Sequence, residues 1–153
     1  MEPSRRDSMG ESIDWPHYRE TVLHFGDPVT WSVPVRRLAA DASSRLDTFG
    51  LTGPFAVISA FHPSPQRLDR EANLERHERL RMLLAERRIP AVPCAGASVD
   101  GSHREEGFAA CCPRETAVEI ASAFGQAAIY WWDGLDLWIE PALAEVPAER
   151  IRP

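Results

Sequence analysis

The sequence predicts a single α+β domain, within the α/β class, whose strands form one mixed sheet. The first observation is the apolar run over residues 55–61 (FAVISAF), which suits a strand buried on both faces. The second is a set of stretches in which apolar residues repeat at helical spacing, and the third is a pair of alternating segments near each end. Together they give the order ββαβαββαββ, and residues 55–132 have the βαββαβ order of a ferredoxin-like core.

The first three elements precede this central strand. Residues 18–25 and 29–35 alternate between apolar and polar side chains, and Gly26-Asp27-Pro28 between them predicts the turn of an antiparallel hairpin. Apolar residues over 38–49 then recur at helical spacing up to Gly50. This pattern predicts a short amphipathic helix that ends at a glycine cap.

A longer helix follows over residues 64–88. Its inner face passes through Asn73, His77, Leu80 and Leu84, while its many Arg and Glu residues form a solvated face. The rest of the domain is predicted from the same periodicities, and Asp133-Gly134 is a strong hairpin signal. The remaining elements are a strand over 91–95, a loop over 96–104, a strand over 106–112, a helix over 113–124, and strands over 127–132 and 135–140.

The length and composition fit one globular domain, since 153 residues with 44% hydrophobic content can bury a core. Residues 1–14 lack an apolar period, so we predict a flexible N-terminal tail, a single domain over residues 15–142 and a C-terminal tail over residues 143–153. No apolar run approaches the roughly 20 residues that cross a bilayer, and the first residues do not resemble a secretory signal. We therefore expect a soluble cytoplasmic protein without membrane association.

The charged residues exclude some functions. All 17 basic residues are arginine, so any mechanism that needs a lysine, such as a Schiff base or the ammonium group of a phosphate-binding loop, is excluded. The 23 acidic residues give a net charge of -6, which repels a nucleic-acid backbone at long range. We therefore predict no general nucleic-acid binding.

The cysteines predict neither a disulfide framework nor a metal site. Cys94, Cys111 and Cys112 are odd in number, and two of them are adjacent. Together with His103 they include metal-binding residue types, but their spacing matches no zinc pattern, and neighbouring residues of a strand point to opposite faces. We expect three reduced thiols, no metal and no cofactor.

Polar residues converge at one end of the predicted sheet. The right-handed crossover rule makes the strands over 55–61 and 91–95 parallel, so both end at the edge where the long helix begins. The next strand returns antiparallel from that edge, and the next helix ends there. This arrangement predicts a polar rim that binds a small-molecule or nucleotide ligand, since open sheets often bind ligands at strand ends. The polar rim consists of His62, Asn73, His77, Glu105 and Gln126, with Gly96 beside them.

Two interpretations of the polar rim remain open. Asn73 and His77 lie four residues apart on an inward helix face, where each polar side chain needs a partner. They could satisfy backbone groups at the strand ends and serve the fold alone. They could instead line a ligand pocket, and binding at the rim without catalysis is our leading functional hypothesis.

The second hypothesis is an enzyme. Glu105 with His77 or His62 could supply the acid and base of a hydrolase or nuclease-like reaction on a nucleotide, although no nucleophile accompanies them. The third hypothesis is a homodimer or a complex with another protein, in which exposed tryptophans serve as anchors. The candidate anchors are Trp131, Trp132 and Trp138.

Five motifs occur together at characteristic spacing. They are His62-Pro63 at the end of a strand, Asn73 in a helix, Gly96 after the next strand, Glu105-Glu106-Gly107-Phe108, and Phe124-Gly125-Gln126. In this combination the chain resembles an uncharacterised bacterial family, domain of unknown function 3293, over residues 18–141. The family tends to show Asn at positions 62 and 77 and Ser at position 107. The resemblance supports the fold and the choice of rim residues, and it implies no reaction.

Overall fold

Five helices and nine strands make up residues 13–153, the part of the chain that the computed structural model describes. Most of the predicted N-terminal tail, residues 1–12, lies outside this part. In chain order the elements are α1 (Trp15–Arg19), β1 (Val22–Gly26), β2 (Val29–Pro34), a 3-10 helix (Val35–Arg37), α2 (Leu38–Thr48), β3 (Phe55–Ser59), α3 (Arg70–Glu86), β4 (Ala91–Ala97), β5 (Arg104–Glu105), β6 (Gly107–Ala110), α4 (Arg114–Ala123), β7 (Ala128–Trp132), β8 (Leu137–Pro141) and β9 (Glu149–Arg150).

The strands form one curled antiparallel sheet with the shape of a half-barrel, which confirms the predicted α+β class and the single sheet. The strand order is β2-β1-β4-β6-β3-β7-β8-β9, and β5 pairs with β4 in line with β6. The prediction of a mixed sheet is wrong, because every pairing in residues 13–153 is antiparallel. β3 and β4 do run in the same direction, but β6 lies between them and pairs with both.

Each face of the curled sheet has its own apolar core. The inner core contains large side chains such as Phe25, Phe55 and Trp132, and α2 packs against it. The outer core lies under α3 and α4, which pack against β3 and β6 through residues that include Leu80 and Ile120. Because side chains alternate along a strand, each central strand contributes to both cores.

The first and fifth predicted elements begin later than the periodicity indicated. Residues 18 and 19, predicted as the start of a strand, instead end α1, because the Asp14 carboxylate accepts from the His17 N–H at 3.2 Å and Pro16 lies in the first turn. The long helix begins at Arg70 rather than at residue 64. Asp69 caps it by accepting from the Ala72 N–H at 2.8 Å, and residues 62–69 form a loop that contains two prolines.

The end of the chain adds a strand to the sheet, although we predicted a tail over residues 143–153. β9 pairs with β8, and the Ile151 N–H donates to the Leu137 carbonyl at 2.8 Å. The Ile151 side chain is buried in the inner core. Arg19 in α1 donates two hydrogen bonds of 2.7 Å to Glu149, so β9 also holds α1. No helix in the described residues is long and apolar enough to cross a membrane.

Candidate functional site

A cavity of about 540 Å³ opens inside the curl at one end of the sheet. The inward positions of four strands at this end carry small residues: Ser59 in β3, Gly96 in β4, Gly107 in β6 and Ala128 in β7. At the other end the inward positions carry the large side chains of the inner core. The small residues therefore leave space at this end, and its volume lies within the roughly 300–1,000 Å³ of small-molecule sites.

Three segments that are not strands complete the walls of the cavity. They are α1 with the residue before it, the loop that follows β3, and the segment that leads into β5. Polar side chains from these segments and from the first residue of β5 line the mouth, and both charge signs are present. Those side chains are Asp14, His17, His62, Gln66, Arg67, Ser102, His103 and Arg104.

Glu105 presents a half-buried carboxyl group to the cavity. Burial raises the pKa of this group, and the positive charge of Arg67 partly opposes the rise. No side chain or backbone group within residues 13–153 donates a hydrogen bond to it. Its neighbour Glu106 accepts from Arg104 Nε at 2.8 Å instead. Glu105 is therefore a carboxyl group that the described chain leaves for water or a ligand.

Two tyrosines form the inner wall beside Glu105. The Tyr130 hydroxyl donates to the Tyr18 carbonyl at 2.6 Å, and the two rings meet edge to face at 5.5 Å. Thr21 donates to the His17 carbonyl at 2.8 Å, which fixes the end of α1. Burial raises the pKa of both tyrosines, and the charge of Glu105 raises that of Tyr18 further. Both phenols are therefore protonated at neutral pH.

His62 begins the loop at the cavity mouth and adopts a left-handed backbone conformation, with φ of 45°. Its N–H donates to the Asn73 side-chain oxygen at 2.8 Å, and the Leu68 N–H donates to His62 Nδ1 at 3.0 Å. Because Nδ1 accepts, the neutral ring carries its proton on Nε2. Burial, with the charges of Arg67 and His103, lowers the pKa of His62. Together with Asn and Asp, His is among the side chains that tolerate a positive φ best, so His62 can adopt this conformation.

Gln126 holds the same loop from the other side. Its amide nitrogen donates to the Phe61 carbonyl at 2.9 Å, and the Ser64 N–H donates to the Gly125 carbonyl at 2.7 Å. Gly125 has φ of 71°, and a Cβ there would lie 2.8 Å from the Pro63 Cβ. The glycine therefore allows the close approach of the two segments.

Arg76 is an anchor that the sequence analysis missed. Its Nε donates to the Ala60 carbonyl at 2.7 Å, and its Nη2 donates to the Phe124 carbonyl. The guanidinium also lies 5.8 Å from the centre of the Phe124 ring. Burial lowers its pKa. Its position three residues after Asn73, on the same helix face, was the signal that could have identified it.

His77 lies on the outer face of the sheet and not in the cavity. Its ring stacks on Phe108 at 4.7 Å, and Phe61 meets it edge to face at 6.2 Å. Its Nδ1 is buried without a hydrogen-bond partner in the described structure. The predicted acid–base pair of Glu105 and His77 is therefore wrong, because the two residues lie on opposite faces. Helical periodicity placed His77 against the sheet but did not show which face it meets.

The five residues of the polar rim thus have three different positions. His62, Glu105 and Gln126 line the cavity, as does Gly96. Asn73 lies behind His62 and holds it by hydrogen bonds, and His77 is outside. The sequence analysis missed several other lining residues, which alternation along the strands could have identified once their inner face was known. These are Ser59, Cys94, Ala128 and Tyr130 in the strands, together with Tyr18 and Arg67.

The remaining candidates for chemistry are the three cysteines and a metal site. Burial raises the pKa of all three thiols, that of Cys112 to about 11, so the cysteines are neutral. No cluster of three His, Cys, Asp or Glu side chains in residues 13–153 could hold a metal ion.

The tryptophans give little support to an exposed anchor. Trp132 is buried, which corrects the prediction for this residue. Trp131 and Trp138 are opposite each other on β7 and β8 and are partly buried, and Trp138 donates to Asp133 at 2.8 Å. The homodimer remains a prediction, and light scattering of the purified protein would test it.

Comparison with known proteins adds one result to this geometry. The family model described as "Protein of unknown function (DUF3293)" matches residues 58–129. The match runs from β3 to β7 and includes all five motifs, whereas α1 and Tyr130 lie outside it. No curated protein and no solved structure matches the chain. The match confirms, over residues 58–129, the predicted resemblance to domain of unknown function 3293.

Proposed function

We propose that this protein is a binding domain that takes a small polar ligand into the cavity inside the curl. The observation that carries the proposal is Glu105. Its carboxyl group is half-buried, lines a cavity of about 540 Å³ and receives no hydrogen bond from the described residues. A buried carboxylate costs free energy unless donors surround it, and a ligand with hydrogen-bond donors would supply them.

The fixed position of the cavity mouth supports the same function. Asn73 accepts a hydrogen bond from the backbone of residue 62, whereas Arg76 and Gln126 donate to the carbonyls of residues 60 and 61, and Arg76 also donates to the Phe124 carbonyl. These side chains hold the mouth in one conformation. A binding site held in this way loses less conformational entropy when a ligand binds.

A thermal-shift screen tests the proposal. The panel contains nucleotides, amino acids, dipeptides and sugar phosphates, with wild type beside Glu105→Gln. A ligand at a hundredfold excess over its Kd stabilises the folded state by about 2.7 kcal/mol. We expect at least one compound to stabilise wild type and to lose its effect in Glu105→Gln.

Glu106→Gln is the matched control, since it makes the same change one residue away at a carboxylate already paired with Arg104. We expect Glu106→Gln to respond to the ligand like wild type. A compound that stabilises Glu105→Gln as well as wild type would contradict the proposed site. A panel without any stabilising compound would count against ligand binding itself.

An enzyme that acts on a nucleotide is a second candidate, with His62 in place of His77 as the partner of Glu105. Both residues line the cavity, and burial raises the pKa of Glu105 toward the range useful for a general acid. This candidate predicts a pH-dependent hydrolysis of a nucleotide that binds, and its loss in Glu105→Gln. A nucleotide that binds the cavity but stays intact during long incubation would remove it.

We further propose that β3, α3, β4, β6, α4 and β7 form a ferredoxin-like core to which the other elements are added. Two observations support this architecture. The four strands lie side by side in the order β4-β6-β3-β7, and both helices pack on the outer face. The cavity then lies on the face of this core that the helices leave open, where the added strands curl over it.

A further inference from the structure

We propose that the ligand is dipolar, with an amino group that meets Glu105 at the inner wall and an anionic group that meets Arg67 at the mouth. The inference rests on the proposed function and specifies the chemistry of the ligand. Two sources carry this chemistry, namely an amino acid or short peptide and a nucleotide with an exocyclic amino group. The observations concern two charged groups in one cavity, Arg67 and Glu105, that have no hydrogen-bond or ion-pair partner within the described residues.

Arg67 is an exposed guanidinium in the lining of the cavity. Within residues 13–153 it makes no hydrogen bond and no ion pair. The other arginine of the lining, Arg104, is bound to Glu106 at 2.8 Å. Arg67 is therefore the lining arginine that remains available to an anion, and a guanidinium binds carboxylate or phosphate with two parallel hydrogen bonds.

The backbone on both sides of Arg67 is held in place. The Gln66 N–H donates to the Pro63 carbonyl at 2.6 Å, and the Leu68 N–H donates to His62 Nδ1 at 3.0 Å. The loop thus keeps the base of the Arg67 side chain at the mouth. This position is independent of any contact made by the guanidinium itself.

Glu105 supplies the opposite charge. The two residues are close enough for the charge of Arg67 to act on the Glu105 carboxyl, yet they form no ion pair. Two opposite charges that line one cavity and do not pair with each other are both available to a molecule bound there. Such a molecule would complement both charges if its donor end is at Glu105 and its anionic end at Arg67.

The experiment measures Kd by calorimetry for end-modified ligands in two series. The peptide series compares Ala-Ala with N-acetyl-Ala-Ala, which lacks the ammonium group, and with Ala-Ala amide, which lacks the carboxylate. The nucleotide series compares GMP, AMP and CMP with UMP, which lacks the amino group, and with guanosine, adenosine and cytidine, which lack the phosphate. We expect one series to bind and each end to be required, with roughly tenfold to hundredfold weaker binding when either end is removed.

Variants assign each end of the ligand to a residue. Arg67→Gln should weaken the intact ligand roughly tenfold to hundredfold and leave the derivative without its anionic group unaffected. Glu105→Gln should do the same for the amino end. Arg70→Gln is the matched control, because Arg70 is an exposed arginine of the neighbouring helix outside the cavity lining, and it should bind like wild type. Arg67 is exposed, so thermal melting should show that Arg67→Gln folds normally.

The outcomes separate this inference from the proposed function. If a ligand binds, requires Glu105 and is indifferent to Arg67→Gln, the dipolar ligand is wrong and the cavity remains a binding site. If the intact ligand and its end-modified derivatives bind equally, the dipolar ligand is also wrong. If no compound of either series binds, the dipolar ligand is wrong, and the proposed function then depends on the wider screen.

Discussion

The two inward glycines of the cavity differ sharply in the space around them. A Cβ at Gly107 would lie 2.5 Å from the Ile58 carbonyl oxygen, whereas the nearest atom to a Cβ at Gly96 is Thr21 Cγ2 at 3.4 Å. We expect Gly107→Ala to lower the free energy of unfolding by about 1–3 kcal/mol, because the backbone must shift. Gly96→Ala should be neutral or stabilising, since alanine restricts the unfolded chain. Chemical denaturation of the two variants measures both effects.

Equal stability of the two glycine variants would contradict this account of the close approach at Gly107. The same approach leaves no room for a larger side chain at this position. Ser59 of β3 is opposite Gly107 of β6 in the register of the sheet. A serine at position 107 would need the two strands to move apart, so the observed spacing of β3 and β6 requires glycine at this position.

His77 makes the stability depend on pH. Burial lowers its pKa, and the opposing charges of Glu106 and Glu78 reverse only part of the change. Its stabilising contribution is therefore complete above the unfolded pKa of about 6.5 and is lost as the pH falls through the lower folded value. Burial also lowers the pKa of His24 and His62, which act in the same direction. We expect the free energy of unfolding to decrease from about pH 7 to about pH 5.

The variant His77→Phe isolates this contribution. It keeps a ring on Phe108 and removes both the titration and the unpartnered Nδ1. We expect it to be more stable than wild type and to show a weaker pH dependence in denaturation experiments. His103→Gln removes an exposed histidine as a control. An unchanged pH dependence in His77→Phe would show that other groups cause the acid sensitivity.

At the scale of elements, the short strand β9 closes one edge of the sheet and supports α1. The Ile151 side chain beside it is 7% exposed. We expect Ile151→Ala to lower the free energy of unfolding by about 2–5 kcal/mol, because the truncation leaves a cavity in the inner core. Arg152→Ala, at an exposed neighbour whose backbone carbonyl is retained, should change stability little. Urea denaturation compares the two, and similar costs would contradict the importance of this buried contact.

The sequence predicted best those elements whose signal is local. The helix that ends before Gly50, the strand of residues 55–59 and the hairpin at Asp133-Gly134 all follow from periodicity and turn residues. β9 is two residues long and depends on β8 and on Arg19, which is 130 residues away from Glu149, so no local pattern could predict it. The helix α1 had a local signal in Asp14 and Pro16, but the apparent alternation of the following residues obscured it.

The sequence could predict at which end of the sheet the candidate site lies, but not on which face of the sheet. Strand directions place the residues after β3 and before β6 and β7 at one end, so the proximity of His62, Glu105 and Gln126 follows from topology. Glu105 lines the cavity and Glu106 does not, and this difference depends on the register of β5 and on the curl of the sheet. The sequence therefore could not show that His77 lies outside or that Tyr18 lies inside.

The whole molecule combines a filled core and a cavity in one curl. Large side chains occupy the inner positions at one end of the strands, and small or polar residues occupy them at the other. Space of this kind lowers stability, because the atoms around it lose contacts that a filled core would have. A half-buried carboxyl group inside such a space adds to this cost. Under the proposed function, the protein exchanges this part of its stability for ligand binding.

This exchange predicts that a variant can gain stability while it loses binding. Burial raises the pKa of Glu105, so the folded state favours its protonated form. The stabilising effect of that preference is complete below the unfolded pKa of about 4.3 and is lost as the pH rises through the folded pKa. Glu105→Gln is neutral at every pH. We expect it to melt at a higher temperature than wild type at about pH 7, with the difference shrinking toward about pH 4.

Glu106→Gln shows what the same change does without burial in the cavity. It removes an exposed ion pair with Arg104, which is worth about 0–1 kcal/mol, so its stability should equal that of wild type or fall slightly below it. Thermal melts of wild type and both variants across the pH range provide the comparison. If Glu105→Gln melts below wild type at neutral pH, the Arg67 charge already stabilises the carboxylate in the free protein. The need for a ligand donor, on which the proposed function rests, would then disappear.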